Sequence, residues 1–374
     1  MNRREMLALS MGLAGLAVSP GWMRSAELGA GPAIMDPTPW PMLRDIASAK
    51  GIVFGAALPK EQLAANRYFA AIAGQQCGVL VPEVELKWKA LRPSPDDYDF
   101  SGGDWLLDFA KSHQMMFRGH TFVWEQALPN WFGRIVTTEN ANQMMVAHIA
   151  TVARRYAGKM HSWDVVNEAV QIEDGRPDGL KNTPWLQLIG PGYIETAFHA
   201  AHEADPHATL VYNENWLEPE DAGTDKKRKA VLSLLTRLKK NNVPVQALGI
   251  QSHLFADTNA CNATYKRFLQ EISDLGLEIM ITEMDVREKN LPADIAIRDR
   301  MIASQYYKCL SFMLQFPAVK TVVTWGLSDR YTWIATHDPR PDGIPVRPLP
   351  YDAEMNPKPA WEAIRNALQE APRR

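Results

Sequence analysis

From residue 50 onward the chain alternates between short apolar runs and longer stretches with helical periodicity. The runs are 51–58 (GIVFGAAL), 77–85 (CGVLVPEVE), 114–124 (QMMFRGHTFVW), 162–170 (SWDVVNEAV), 209–216 (TLVYNENW), 247–254 (ALGIQSHL), 277–286 (LEIMITEMDV) and 319–329 (VKTVVTWGLSD). Helical spacing of apolar positions marks 61–73, 104–113, 141–156, 193–204, 224–240, 264–275 and 294–316, and a last helix at 359–368. Apolar runs bounded by turn residues predict strands buried on both faces, and the helices between them predict parallel crossovers. Eight such units in succession predict an α/β fold, the (β/α)8 TIM barrel. The alternative is an open doubly wound sheet, but its glycine-rich phosphate turn after the first strand is replaced here by Leu58-Pro59-Lys60.

The start of the chain follows a different pattern. Asn2-Arg3-Arg4 precedes an uncharged run over residues 7–18, too short to span a bilayer as a helix. Paired arginines ahead of such a run predict a signal peptide of the twin-arginine type over 1–30, and so a periplasmic or secreted protein. Pro32, Pro37, Pro39 and Pro41 mark a stiff lead-in over 31–43. A single catalytic domain is expected over 44–374.

Charge changes the picture only by exclusion. Forty basic residues against 43 acidic ones leave a net charge of −3, with no polybasic face for nucleic acid or a membrane surface. The basic cluster Lys226, Lys227, Arg228, Lys229, Lys239 and Lys240 reads as one solvated helix face. Three cysteines are too few for a disulfide scaffold, and Cys77 and Cys309 are expected as buried free thiols. His199, His202 and His207 miss the spacing of a zinc motif, Pro206 breaks the helix there, and no metal or cofactor is called for. Twelve tryptophans are many for this length; Trp88 and Trp163 suit a core, others a stacking surface.

A barrel carries its chemistry at the C-terminal ends of its strands. Those ends hold Glu83, Glu85 and Lys87 (second), His120 and Trp124 (third), Asn167 and Glu168 (fourth), Asn213 and Glu214 (fifth), Gln251 and His253 (sixth), Glu283 and Asp285 (seventh) and Trp325 (eighth). So many polar groups on one rim are costly unless they serve a site. Glu168 and Glu283, on strands nearly opposite each other, form a carboxylate pair that can reach one substrate bond. Glycosidic cleavage needs such a pair, one carboxyl protonated to donate to the leaving oxygen and the other ionised to attack the anomeric carbon. Asn167 is placed to bond a sugar hydroxyl, and His253 and Asp285 to orient Glu283 and keep it ionised.

Trp163-Asp164-Val165-Val166-Asn167-Glu168 and Ile281-Thr282-Glu283-Met284-Asp285-Val286 together resemble glycoside hydrolase family 10, the endo-β-1,4-xylanases. The likeness extends to residues 119–124 (GHTFVW), 248–254 (LGIQSHL), 324–329 (TWGLSD) with Trp333, and 356–360 (NPKPA). It implies a retaining double displacement with Glu168 as acid/base and Glu283 as nucleophile. It also implies a sugar cleft lined by Glu83, Lys87, His120, Trp124, Asn167, Gln251, His253, Trp325 and Trp333. The substrate implied is xylan or a xylo-oligosaccharide, cut at internal bonds by a monomer without a cofactor.

The likeness departs from the family at two places. Val84 stands where the family usually has Asn after the second-strand Glu, and Glu125-Gln126-Ala127 stands where it usually has His and, two residues on, Gln. Both departures remove polar contacts to the sugar beyond the cleavage site, each worth about 0.5–1.5 kcal/mol. A different β-linked glycoside, or a carbohydrate-binding barrel without catalysis, is therefore the competing expectation. A barrel enzyme for a small phosphorylated metabolite is disfavoured, because no glycine-rich phosphate loop follows the last two strands.

Overall fold

The computed structural model describes residues 41–374. The predicted signal and nearly all of the lead-in therefore lie outside the described residues. Strands β1 (Val53–Ala57), β2 (Val79–Val81), β3 (Met116–Val123), β4 (Ser162–Asn167), β5 (Thr209–Glu214), β6 (Ala247–Ile250), β7 (His253–Phe255), β8 (Glu278–Arg287) and β9 (Val319–Thr324) run in chain order. Each of the first five pairs in parallel with the next, β6 pairs with β8, β8 with β9, and β9 returns to β1. This closes an eight-stranded barrel, as the alternating pattern predicts; β7 is a short extra strand on the rim, paired with β8 alone.

The strands are buried over almost all their length because helices cover one side and barrel side chains fill the other. β6, for example, is buried at every position. Small residues set the close approaches. A Cβ on Gly249 would lie 2.3 Å from Asn213 Oδ1, so only glycine leaves room for that amide inside the barrel.

Six of the apolar runs outlast their strands at the C-terminal end. β4 stops at Asn167 and β5 at Glu214, and the sixth run divides into β6 and β7 around Ser252. The reason is backbone geometry at the mouth. Glu168 (φ 54°), Trp216 (φ 53°) and Ser252 (φ 61°) all adopt the left-handed conformation, which ends a ladder and costs roughly 1–3 kcal/mol per non-glycine residue. The predicted helix 61–73 divides into Lys60–Ala65 and Arg67–Gln76. Asn66 restarts it by accepting the N–H groups of Tyr68 and Phe69, both at 3.1 Å. Pro184–Ile189, capped by the Thr183 hydroxyl, has no counterpart in the predicted elements.

Trp88 and Trp163 are core, as expected: Trp163 stacks on Phe122 and Trp88 on His148. Cys77, Cys261 and Cys309 are buried free thiols. The solvated basic face is corrected in part. Lys226 and Lys229 are exposed, but Lys227 and Arg228 are buried, because Glu214 and the Leu217 carbonyl draw them inward at 2.8 and 2.7 Å. Among the described residues no helix is long and apolar enough to cross a membrane.

Candidate active site

The mouth of the barrel holds a cavity of about 390 Å³. Glu83, Lys87, His120, Trp124, Asn167, Glu168, Gln251, His253, Glu283, Trp325 and Trp333 all line it. Asp285 lies just beneath, fully buried. Glu85 and Glu214, also at strand ends, face elsewhere. Glu85 accepts the backbone N–H of Lys60 at 2.6 Å, and Glu214 accepts from the Tyr212 hydroxyl and Val170 N–H.

A layer of fixed groups forms the floor. Arg118 bonds Ser162 at 2.9 Å and Asp164 at 2.5 Å, and the second Asp164 oxygen lies 2.9 Å from His120 Nδ1. The amide of Asn213 comes next. Its oxygen accepts the Thr282 hydroxyl at 2.7 Å, which directs its NH2 to Glu283 Oε1 at 2.7 Å and to Asn167 Oδ1 at 2.8 Å. Gln251 continues the chain of amides, donating to Asn167 Oδ1 at 3.2 Å and to Glu168 Oε1 at 2.9 Å. The two carboxylates are thus joined through three amides from three strand ends.

Glu283 sits among positive charge. His253 Nε2 lies 3.2 Å from Glu283 Oε2, while His253 Nδ1 faces Asp285 at 3.0 Å. Asp285 also accepts the Trp333 indole N–H at 2.8 Å. Burial works against the charged form of Glu283, but the bond from His253 and the fields of His120, His253 and Lys87 overcome it and pull its carboxyl down to about 2. Burial likewise opposes a charged His253, yet the two carboxylates outweigh it and raise the imidazole to about 10. Glu283 is therefore ionised and held in place across the neutral range.

Glu168 has a different setting. Trp124 Nε1 donates to Oε2 at 3.2 Å, and Gln251 and Asn167 donate to Oε1 at 2.9 and 3.3 Å. Lys181 Nζ stands 3.8 Å from Oε2 and is itself paired with Glu125 at 2.5 Å. Lys87 lies 5.0 and 5.6 Å from the ring centroids of Trp124 and Trp325, and burial lowers its ammonium below the ordinary lysine value. Burial also lifts the Glu83 carboxyl to about 7, against the pull of Lys87 and with the repulsion of Glu85, Glu283 and Asp285.

Gln126, Asn215, Trp216, Arg287 and His337 also line the cavity without having been singled out as binding residues. Asn215 and Trp216 directly follow the fifth-strand pair Asn213 and Glu214, so position at a strand end was the available signal. Arg287 ends β8, and its guanidinium lies 5.0 Å from the Trp333 ring. Trp216 is 44% exposed, stacks near-parallel to Phe255 at 5.8 Å, and separates the main cavity from a second one of about 330 Å³ that reaches Asp257 and Asn290.

Two carboxylates with contrasting partners, set in an indole-walled cleft at the C-terminal mouth of a parallel barrel, are the equipment of a glycoside hydrolase. Residues 42–367 match the family model described as Glycosyl hydrolase family 10, and the chain belongs to that family. Endo-1,4-beta-xylanase B of Thermotoga neapolitana is 32% identical, over 81% of this chain and 84% of that protein. Beta-1,4-xylanase of Dictyoglomus thermophilum is 35% identical, over 76% of this chain and 81% of that one. The crystal structure of xylanase 10B from Thermotoga petrophila RKU-1 in complex with xylobiose superposes with a TM-score of 0.81 at 32% identity, covering 88% of this chain and 98% of that chain.

Proposed function

We propose that the chain is a retaining endo-1,4-β-xylanase acting on xylan or xylo-oligosaccharides, with Glu283 as nucleophile and Glu168 as acid/base. The observation that carries this reading is the contrast within one cavity. Glu283 is anchored as an anion by Asn213 and His253, while Glu168 is ringed by an indole N–H and two amides. In the first step Glu283 Oε attacks the anomeric carbon as Glu168 gives its proton to the departing sugar oxygen. In the second, Glu168 takes a proton from water, the water oxygen attacks the same carbon, and the Glu283 ester is released. Asn167, tied to Asn213 and Gln251, meets the hydroxyl beside the reacting carbon. Trp124, Trp325 and Trp333 offer faces to pyranose rings, and Lys87 donates to their hydroxyls.

The test is Glu283→Gly with azide. Turnover of an aryl β-xylobioside is lost, and azide restores it with formation of the α-glycosyl azide. Full turnover in the variant without azide would reject the assignment of Glu283.

Substrate choice turns on the altered rim. Val84 lines the cavity as an exposed apolar side chain, Glu125 is engaged by Lys181, and Ala127 is buried, so none of the three donates to a sugar. These positions favour shorter or decorated xylo-oligosaccharides over long unbranched xylan. They also favour a second reading, hydrolysis of another β-linked glycoside. Product profiles on several xylans and on mixed-linkage glucans separate the two. The paired arginines support export by the twin-arginine route, with the enzyme working as a periplasmic or secreted monomer. Arg3→Lys with Arg4→Lys retains the protein in the cytoplasm if this is right, and gel filtration reads the monomer.

A further inference from the structure

Lys181 belongs to no strand end. It lies in the loop after β4, where Val170 bridges Leu180 and the Lys181 N–H donates to the Ala169 carbonyl at 2.8 Å. That pairing fixes its backbone beside Glu168, and its ammonium stands 3.8 Å from Glu168 Oε2, the oxygen that also accepts from Trp124. Glu125 then holds the ammonium at 2.5 Å. Neither side chain is free in solvent; their exposures are 20% and 15%. The second Glu125 oxygen is buried without a hydrogen-bond partner, so Lys181 provides the hydrogen-bonded anchor of that carboxylate. Glu125 is also one of the positions at which the chain departs from its family's usual sequence.

We propose that Glu125 and Lys181 form a charge-compensated pair that sets the working pH range of the acid/base Glu168, with Lys181 as the positioning residue and Glu125 as its counterweight. The inference rests on Glu168 being the proton donor. An ammonium alone at 3.8 Å favours loss of the proton that Glu168 must deliver. A carboxylate at 2.5 Å from that ammonium offsets its field and keeps the lysine charged, consistent with the raised value of Lys181. Other charges face the same place. Lys87 comes from the segment after β2, and Glu283 from β8 with His253 of β7 and His120 of β3 behind it. Glu214 of β5 lies behind Lys181 and is occupied by Lys227 at 2.8 Å. Glu173, Asp221 and Lys227 line the outer cavity on that side. Of the two ammonium groups near Glu168, Lys181 is the one gripped at salt-bridge distance by a carboxylate outside the pair of reacting acids.

The test is the pH profile of kcat/KM on xylo-oligosaccharides, whose basic limb reports the proton donor of the free enzyme. Glu125→Gln moves that limb down by about one pH unit, and Lys181→Gln moves it up by about one pH unit. The double variant brings it back close to the parent, and Lys181→Arg leaves it in place. A role in folding alone would move melting temperature without opposite shifts of the limb. Shifts of the same sign, or no shift in variants whose melting curves show them folded, would overturn the proposal. Glu168→Ala separates this outcome from failure of the underlying assignment. If that variant keeps kcat/KM on dinitrophenyl glycosides and loses it on xylo-oligosaccharides, Glu168 is the proton donor, and the limb data judge Lys181 alone. If it affects both alike, the assignment and the proposal fall together.

Discussion

Glu283, within β8, and Glu168, just after β4, face the mouth of one barrel, and their surroundings differ in kind. Glu283 meets a histidine cation backed by a buried aspartate, with a second histidine and a lysine close by. Glu168 meets an indole, two amides and a lysine already engaged elsewhere. A group that must stay ionised is best served by permanent charge; a group that must gain and lose a proton each turnover is best served by neutral dipoles and compensated charge. The comparison teaches that the two roles are written in the partners rather than in the carboxyls.

The largest expected effects remove one member of the pair. Glu283→Ala lowers kcat on the order of 10⁵-fold for every glycoside, whatever its leaving group. Glu168→Ala lowers kcat/KM about 10²–10⁴-fold for xylo-oligosaccharides and little for activated aryl glycosides, whose kcat still falls because the attacking water has lost its base. Equal losses across leaving groups in both variants would erase the distinction.

His253→Ala probes the charged side. His253 has a folded value raised to about 10, above the usual 6.5, so its stabilising contribution is fully present below pH 6.5 and lost as pH rises through 10. Glu283, held at about 2 against an ordinary 4.5, contributes above pH 4.5 and loses that contribution as pH falls toward 2. Melting temperature of the parent therefore declines at both extremes. The variant lacks the alkaline decline of this origin, and the acid limb of its kcat/KM moves upward because Glu283 has lost its cation. An unchanged acid limb would mean that His253 only packs.

Smaller effects are expected where the cleft widens. Trp216→Ala removes an exposed ring between two cavities, and a lost stacking contact of about 0.5–1.5 kcal/mol lowers kcat/KM roughly 2–12-fold. The loss falls on long oligosaccharides and spares aryl xylosides; an equal loss on both would place Trp216 outside sugar binding. Glu83→Gln has the mildest signature. The Glu83 carboxyl is raised from 4.5 to about 7, so it favours the fold at low pH and that benefit is lost as pH rises through 7. The melting temperature of the variant relative to the parent is accordingly higher at pH 8 than at pH 5.

Much of this was legible along the chain, for stated reasons. Helices 141–156 and 193–204 fall where the periodicity puts them, because one apolar face must meet the barrel. The cleft residues were legible because parallel strands of a barrel end on one face, so strand-end polar residues must converge. Asn213 was visible as a strand-end residue, but its place as the relay between the two carboxylates was not. That depends on Gly249 leaving room and Thr282 turning the amide. Lys227 and Arg228 looked solvated because a run of cations carries no mark of the buried acceptors, Glu214 and the Leu217 carbonyl, at the end of the preceding strand and in the loop after it.

The amino-acid sequence by itself determined the eight-fold alternation and the convergence of carboxylates, amides and indoles on one rim. Those follow from local periodicity and from the direction of parallel strands, which any compact arrangement of this chain must respect. Only the tertiary structure decided that Glu168 meets an indole N–H and two amides, and that Lys181 returns to Glu168 held by Glu125. Such pairings join distant positions at distances of 2.5 to 3.8 Å, where electrostatic energy is steep. They are set by how loops fold back over the barrel mouth, which sequence spacing does not specify.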